Sequence, residues 1–281
     1  TMKDNDLDAF ISFDDSTVKV TYENEDPSST AQIKGMIQSI LTTSKMKEMN
    51  QELQVLAEKT QTPLKLQKLT VKSSYVYGHA DSTFFDKIFP ILIGFFVFFF
   101  VFLISGIALL RERTSGTLER LLATPVKRSE IVFGYLVGYG LFAILQTFVI
   151  IFFSIYLLKL QIVGSLLWVI VTNILIALTA LSMGIFVSTF ASSEFQMVQF
   201  IPLIVIPQVF FSGLIPLDTM ANWVRGLACI FPLSYAGNAL SAIMIKGQGI
   251  ETIGPDLMIL VLFIAFFTAL NIIGLRRYRK V

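Results

Sequence analysis

Long apolar runs without charged residues fill the larger, C-terminal part of the chain. A helix needs about 20 apolar residues to cross roughly 30 Å of hydrocarbon. Neither 88–110 nor 131–158 contains an Asp, Glu, Lys, Arg or His residue. The pattern therefore predicts membrane-spanning helices. The five predicted spans are 88–110, 131–158, 165–190, 195–211 and 257–275.

Short polar connections between the predicted spans indicate the orientation. The connection 111–130 (RERTSGTLERLLATPVKRSE) holds five basic and three acidic residues. An excess of Lys and Arg in a short loop places that loop in the cytoplasm, and the basic tail at 276–280 agrees with this placement. The connection 191–194 carries no Lys or Arg and does not contribute to this argument. We therefore expect a multi-pass protein of the cell (plasma) membrane with a cytoplasmic C-terminus.

The segment 1–86 differs from the rest in its pattern. Apolar and polar residues alternate over 8–13 and 17–22, which predicts two short strands, and 66–77 suggests a third. Apolar residues at helical spacing predict a helix over 30–58. The segment holds nine Lys against thirteen Asp and Glu, so its net charge is −4. We expect a small, partial α+β domain. Because 111–130 is placed in the cytoplasm, the first span runs from the outside inward, and the domain that precedes it is extracellular.

The fold class that follows is an α-helical polytopic membrane protein with a small α+β extracellular domain and a membrane domain at 87–281. The chain opens on Thr1-Met2 in what reads as domain sequence, and nothing before the first span resembles a signal peptide. We therefore expect an N-terminally truncated chain, with five spans here and six in the full protein.

Composition narrows the function. The chain is 54% hydrophobic and 15% charged, with a mean hydropathy of +0.70, which excludes an ordinary soluble domain. One His (His79) and one Cys (Cys229) give little support for a metal site, a catalytic triad or a disulfide. The sequence contains no G-x-x-x-x-G-K-[ST] phosphate loop. We expect no enzyme activity, no bound cofactor or metal, and no nucleic-acid partner.

Breakers interrupt the apolar segment 212–250. Two helical pieces fit between them, near 218–230 and 233–245, and neither is long enough to span. Non-helical backbone at membrane depth is tolerated only where protein or a water-filled cavity covers it. We predict re-entrant or interfacial half-helices that close the outer end of a pathway, with an ordinary surface loop as the alternative. The predicted outer-gate residues are Gly213, Pro216 and Pro232.

A few amides interrupt the predicted spans. They are the polar residues available to line a pathway, although hydrogen bonding between helices is the alternative. A pathway without fixed charges suits a hydrophobic or amphipathic substrate. The residues are Gln146, Asn173, Gln196, Gln199, Gln208 and Asn271.

The connection 111–130 itself predicts a short amphipathic helix. Leu118, Leu121 and Leu122 lie on one face, and Pro125 ends the helix because proline cannot continue it. We expect the helix to lie along the inner membrane surface with its charged face toward the cytoplasm. Ser129 is the expected cap of the next span. Two interpretations remain, a membrane anchor and a docking element for a soluble partner.

At this point the residues resemble a known family. The stretch ERTSGTLERLLATP at 112–125, followed by Ser129-Glu130-Ile131 and Gly134, resembles the signature of ABC-2-type transporter permeases. The resemblance runs from about residue 88 to the C-terminus. The segment 1–86 resembles the insertion between the first and second spans of longer members.

The resemblance implies an exporter, and the uncharged spans favour a hydrophobic or amphipathic substrate for it, such as a drug, a lipid-like compound or a lipopeptide. Two permease halves, as a homodimer or a heterodimer, would associate with separate ABC ATPase subunits, which bind ATP and Mg. The connection after the first span of this chain would be the coupling helix that docks on the ATPase. The residues so implied are Glu112, Gly116, Thr117, Glu119, Leu121 and Pro125.

Two other classes compete with this interpretation. A polytopic scaffold or receptor would present the outer domain to an extracellular partner, and a copurifying ATPase would count against it. An intramembrane enzyme is disfavoured because the spans lack the ionisable residues that usually mark such a site.

Overall fold

The structure, a computed structural model, shows two units with separate cores. They are Thr1–Lys87 and Ile88–Val281. The described residues are 7–14, 17–58, 70–78, 82–215 and 221–275.

The first unit is a three-stranded sheet with one long helix. Its strands β1 (Ala9–Asp14), β2 (Thr17–Tyr22) and β3 (Thr70–Tyr75) lie in the order β1-β2-β3. The pair β1–β2 is an antiparallel hairpin, whereas β2 and β3 are parallel. Parallel neighbours need a long crossover, and the helix α1 (Pro27–Glu58) provides it. Residues 66–69 of the predicted third strand lie outside the described residues.

The core of this unit lies between β2 and α1. Every second residue of β2 points to the same face of the sheet. Val18, Val20 and Tyr22 are therefore buried together, and Ile33 and Ile37 of α1 pack against them. The structure thus has a small α+β unit, in which the apolar face of β2 packs against apolar residues one turn apart on α1.

The second unit is helical throughout its regular elements. A π-helical turn, Phe210–Leu214, directly follows the helix Glu194–Val209. The helices are α2 (Phe84–Thr114), α3 (Thr117–Leu122), α4 (Arg128–Tyr156), α5 (Leu166–Ser188), α6 (Glu194–Val209), α7 (Asn222–Ala228), α8 (Pro232–Met244) and α9 (Ile250–Gly274).

Five helices of the described residues are long and apolar enough to cross a membrane, which confirms the five predicted spans. They are α2, α4, α5, α6 with its π turn, and α9. Helix α9 begins at Ile250 instead of 257, because a helix can extend beyond its apolar stretch. The bent pair α7 and α8 would make a sixth crossing if it formed one span.

Helix α5 lies at the centre of this unit. The buried share of its most apolar stretch is 61%, against 22% for α4 and for α9. It packs against α4, α8 and α9. Such a bundle is surrounded by lipid instead of water. The exposed apolar faces of α4 and α9 are therefore expected to contact hydrocarbon.

Glycines allow α2, α5 and α6 to approach closely. A Cβ atom on Gly184 of α5 would lie 2.7 Å from the carbonyl oxygen of Phe102, and one on Gly106 would lie 2.0 Å from Cε of Met197. Small residues at helix interfaces are typical of membrane bundles, where close packing replaces the hydrophobic effect. The three helices therefore pack closely against one another near Met197.

Candidate functional site

The short helix α3 lies between α2 and α4 and presents two different faces. Leu118 is buried with only 2% of its surface exposed, and it packs against Ile131 and Val132 of α4 and against Leu275. Glu119, the next residue, points about 100° away around the helix and is exposed. The apolar face thus contacts protein through Leu118, while Leu121 and Leu122 are only partly buried. The position along the inner membrane surface stays a prediction.

Five of the six predicted coupling residues lie on or beside α3. Gly116 precedes it, Thr117 is its exposed first residue, and Pro125 is exposed just after it. Leu121 is half-buried against the same apolar cluster as Leu118. Glu119 is therefore the predicted coupling residue within α3 whose charge faces outward.

Glu112, the sixth, lies on the last turns of α2 and is held within the chain. Its carboxylate accepts hydrogen bonds from the hydroxyls of Tyr135 and Tyr139, the second at 3.0 Å. The two rings stack with their centroids 6.1 Å apart. Glu112 therefore braces α2 against α4. Sequence analysis missed both tyrosines, although their i, i+4 spacing places them on one face of α4.

The cap of α4 also differs from the prediction. The helix begins at Arg128, and the backbone N–H of Lys127 donates to the Glu130 carboxylate over 3.0 Å. An acidic residue at the third helical position can satisfy this backbone donor. Glu130, and not Ser129, is therefore the capping side chain.

Gly116 allows the chain to turn from α2 into α3, because its φ angle is +77°. L-residues other than glycine pay roughly 1–2 kcal/mol for that conformation. We expect Gly116→Ala to lower the melting temperature by about 2–8 °C, because each kcal/mol shifts it by roughly 2–4 °C in a large domain. Gly134→Ala is the matched control, since its Cβ meets nothing within 4 Å. Equal melting temperatures for both variants in a detergent thermal-shift assay would contradict the explanation.

Two arginines at the end of α2 contact the turn between α5 and α6. Arg111 donates to the Glu194 carboxylate through Nε (2.7 Å) and Nη2 (3.2 Å). Arg113 donates through Nη1 to the carbonyl oxygen of Ser188 over 2.9 Å and through Nη2 to that of Ala191. The turn that lacks Lys and Arg in the sequence thus obtains both cations from α2.

Three of the predicted pathway residues are buried and hydrogen-bonded to backbone. Oε1 of Gln208 accepts from the N–H of Leu233 over 3.0 Å, which joins α6 to α8. Nδ2 of Asn271 donates to the carbonyl oxygen of Ser182 over 2.8 Å, which joins α9 to α5. Asn173 donates to the backbone of its own helix. The contacts of Gln208 and Asn271 are those of the alternative interpretation, hydrogen bonding between helices.

The remaining three are dispersed. Gln196 accepts from the N–H of Ser192 over 2.7 Å at the start of α6. Gln199 is exposed, and Gln146 is half-buried on α4. None of the six predicted residues lines the cavity between α2 and α6.

That cavity has a volume of about 450 Å³ and lies between α2, α6 and the π turn. Every described side chain that lines it is apolar, so this part of the structure is suited to an apolar group. The lining residues are Phe95, Phe99, Ile201, Pro202, Val205, Ile206, Val209, Phe210, Leu214 and Ile215.

Of the predicted outer-gate residues, Gly213 directly precedes Leu214 and Ile215, which line this cavity. Gly213 has a φ angle of +90° and ends the π turn's regular geometry. Pro232 is the first residue of α8, where its missing N–H leaves no helical bond unmade. Helices α7 and α8 meet at 88°, as two separate short helices. Pro216 lies outside the described residues.

These features define a class, a polytopic membrane domain with a docked helix between two spans and an apolar cavity. The chain belongs to the ABC-2 family of transporter proteins, whose family model matches residues 1–273. The permease subunits of that family are not themselves enzymes.

Relatives come from two very different organisms. ABC transporter G family member 20 of Dictyostelium discoideum is 28% identical over 194 residues, which cover 69% of this chain and 27% of the relative. The inner membrane transport permease YhhJ of Escherichia coli is 29% identical over 180 residues, 63% of this chain and 47% of the relative. The E. coli "Probable multidrug ABC transporter permease YbhS" is 27% identical over 148 residues, which cover 52% of this chain and 39% of the relative. The chain thus spans about a quarter to a half of these relatives.

Proposed function

We propose that this chain is the membrane-spanning permease subunit of an ATP-driven exporter. The observation that carries the proposal is α3, a short helix between two spans. Its residue Leu118 packs against α4 and Leu275, and its charged residues Glu119 and Arg120 are exposed. Such a helix is suited to receive a displacement from a soluble subunit. ATP and Mg would bind to a separate ABC ATPase, and a second permease half, identical or different, would complete the transporter.

The proposed substrate is hydrophobic or amphipathic, such as a drug, a lipid-like compound or a lipopeptide. Support comes from the all-apolar cavity between α2 and α6. The name of one relative, a multidrug permease, agrees with this class. Gly213, Pro216 and Pro232 belong to the proposed outer gate above it.

To test the substrate class, Val205, which is 3% exposed beside the cavity, is replaced by Trp. The indole would fill part of the cavity, so we expect binding of the apolar dye Nile red to the purified protein to weaken by roughly tenfold, the effect of about 1.4 kcal/mol. Leu203→Trp is the control, because Leu203 lies on the same helix and is 69% exposed. Equal loss in both variants would argue against a cavity site.

The proposed location is the cell membrane, with residues 1–86 extracellular and the α3 end of the bundle and the C-terminus cytoplasmic. Support comes from the basic residues of 111–130 and of the tail 276–280, the latter outside the described residues.

A cysteine at Ser28 should react with an impermeant thiol reagent in intact cells, and one at Arg128 should react only after lysis. Cys229 is exposed and is first changed to Ser. Ser28 is exposed and Arg128 half-buried, so the lysed sample is the control for reactivity. The reverse labelling pattern would overturn the whole orientation.

The alternative is a polytopic scaffold or receptor that presents an extracellular domain to a partner. It gives α3 no role beyond connecting two spans. Purification of the full complex decides between them, because an ABC ATPase should copurify with the exporter permease and not with the scaffold.

A further inference from the structure

The α5–α6 turn has no assigned role, yet α2 contacts it at both ends. Arg113 reaches Ser188 and Ala191, and Arg111 reaches Glu194, the first residue of α6. Both arginines lie within one turn of Glu112, which is fixed to α4. The last turn of α2 therefore connects three other elements, α4, α5 and α6.

The contacts of Arg113 match the chemistry of a helix end. The last carbonyl groups of α5 have no partner within the helix, and a cation near a helix C-terminus also interacts favourably with the helix dipole. The planar guanidinium can donate to two oxygens at once. Arg113 thus holds the end of α5 in a fixed position relative to α2.

The pair Arg111–Glu194 contributes direction more than stability. Its side chains are 68% and 52% exposed, and exposed ion pairs add little to folding free energy. Two parallel N–H···O bonds, however, restrict the angle between the partners. The pair therefore orients the first turn of α6 against the last turns of α2.

Farther from α3, the same two helices line the apolar cavity. Between the pair and the cavity, Met197 of α6 packs against Gly106 of α2. Beyond it, α6 contains Pro202 and Pro207 and passes into the π turn. Prolines and π turns are where helices bend. One end of α6 is thus fixed to α2, and its other end has the means to bend around the cavity.

We propose that Arg111, Arg113 and Glu194 form a clasp through which the last turn of α2 passes a displacement of α3 to the end of α5 and to the first turn of α6. The three are positioning residues. This inference rests on the proposed docking of an ATPase at α3. Because α2 and α4 flank α3 in the chain, they would move with it, and the clasp adds α6 to these two spans.

The first test uses the purified full chain without any ATPase. A spin label on a cysteine at Val198, exposed on α6, reports the mobility of that helix, with Cys229 changed to Ser. We expect Arg111→Glu to raise the mobility, Glu194→Arg to do the same, and the double exchange to restore it. Arg111→Gln is the milder variant if the reversal does not fold, and Lys127→Glu is the matched control. Unchanged mobility in the single variants would overturn the clasp.

The second test uses the complex with its copurified ATPase. A cysteine at Ile206, beside the cavity, is labelled with N-ethylmaleimide with and without ATP. We expect ATP to change the labelling rate by about threefold or more through a shift between two populations. Arg111→Glu should remove that response while ATP hydrolysis continues, and the double exchange should restore it.

The two tests separate the inference from the function it rests on. A copurified ATPase with an ATP response that survives Arg111→Glu would overturn transmission through the clasp and leave the permease function intact. If no ATPase copurifies with the unaltered chain, the proposed function fails, and transmission from α3 fails with it. The spin-label result still decides whether the clasp holds α6.

Discussion

Glu119→Lys should abolish transport without reducing insertion into the membrane. Glu119 is exposed on α3 and points away from the buried face that Leu118 occupies, so reversal of its charge should alter the proposed docking face and leave the internal packing unchanged. A like charge placed against a complementary surface costs several kcal/mol, and each 1.4 kcal/mol lowers affinity about tenfold. The ATPase should therefore copurify poorly with this variant. The measurements are transport in cells and the yield of ATPase in the purified complex.

Glu119→Gln is the matched control for this prediction, because it keeps the size of the side chain and removes only the charge. It should have a smaller effect than the reversal on both measurements. Normal transport by Glu119→Lys at normal abundance in the membrane would refute a docking role for α3.

Gly237→Ala should destabilise the fold around the proposed outer gate by roughly 2–3 kcal/mol, the upper range for overpacking a close contact. A Cβ atom at this position would lie 2.1 Å from the carbonyl oxygen of Ser212, in the π turn. Both groups belong to backbone, so neither can move aside as a flexible side chain could. The two elements must separate, and the cavity beside them changes shape. Thermal unfolding of the purified chain measures the loss.

The control is Gly138→Ala on α4, where the new Cβ meets nothing within 4 Å. Alanine is favoured over glycine within a helix by about 0.5–1 kcal/mol, so this variant should be unchanged or slightly more stable. If both variants melt at the same temperature, the close approach of α8 to the π turn is not a constraint on the fold.

Several parts of the site could be read from local sequence, and others could not. The π turn Phe210–Leu214 contains Gly213, one of the residues that predicted a break, and the two short helices α7 and α8 lie close to the predicted pieces. The fates of Gln208 and Asn271 were not readable, since a buried amide in a span is equally suited to line a pathway or to bond a neighbouring helix. The partner backbone groups, on Leu233 and Ser182, are distant in the chain.

The loop 111–130 shows the same division within 20 residues. Its sequence predicts the helix, its end near Pro125, and which face is apolar. It does not show that Leu118 packs on Leu275, or that Glu112 bonds to tyrosines of the next helix. Periodicity identifies a face that must be covered, but any apolar surface can cover it.

The sequence by itself determined the class of protein, the five candidate spans and the position of the short helix α3 between the first two of them. These depend on runs of about 20 apolar residues and on short charged connections, which are local properties that a bilayer imposes on any chain. Only the tertiary structure decided that Arg111 and Arg113 meet the α5–α6 turn and that α2 and α6 enclose a cavity. Those features depend on which helices become neighbours, and that choice is made by the shapes of packed side chains across the whole bundle.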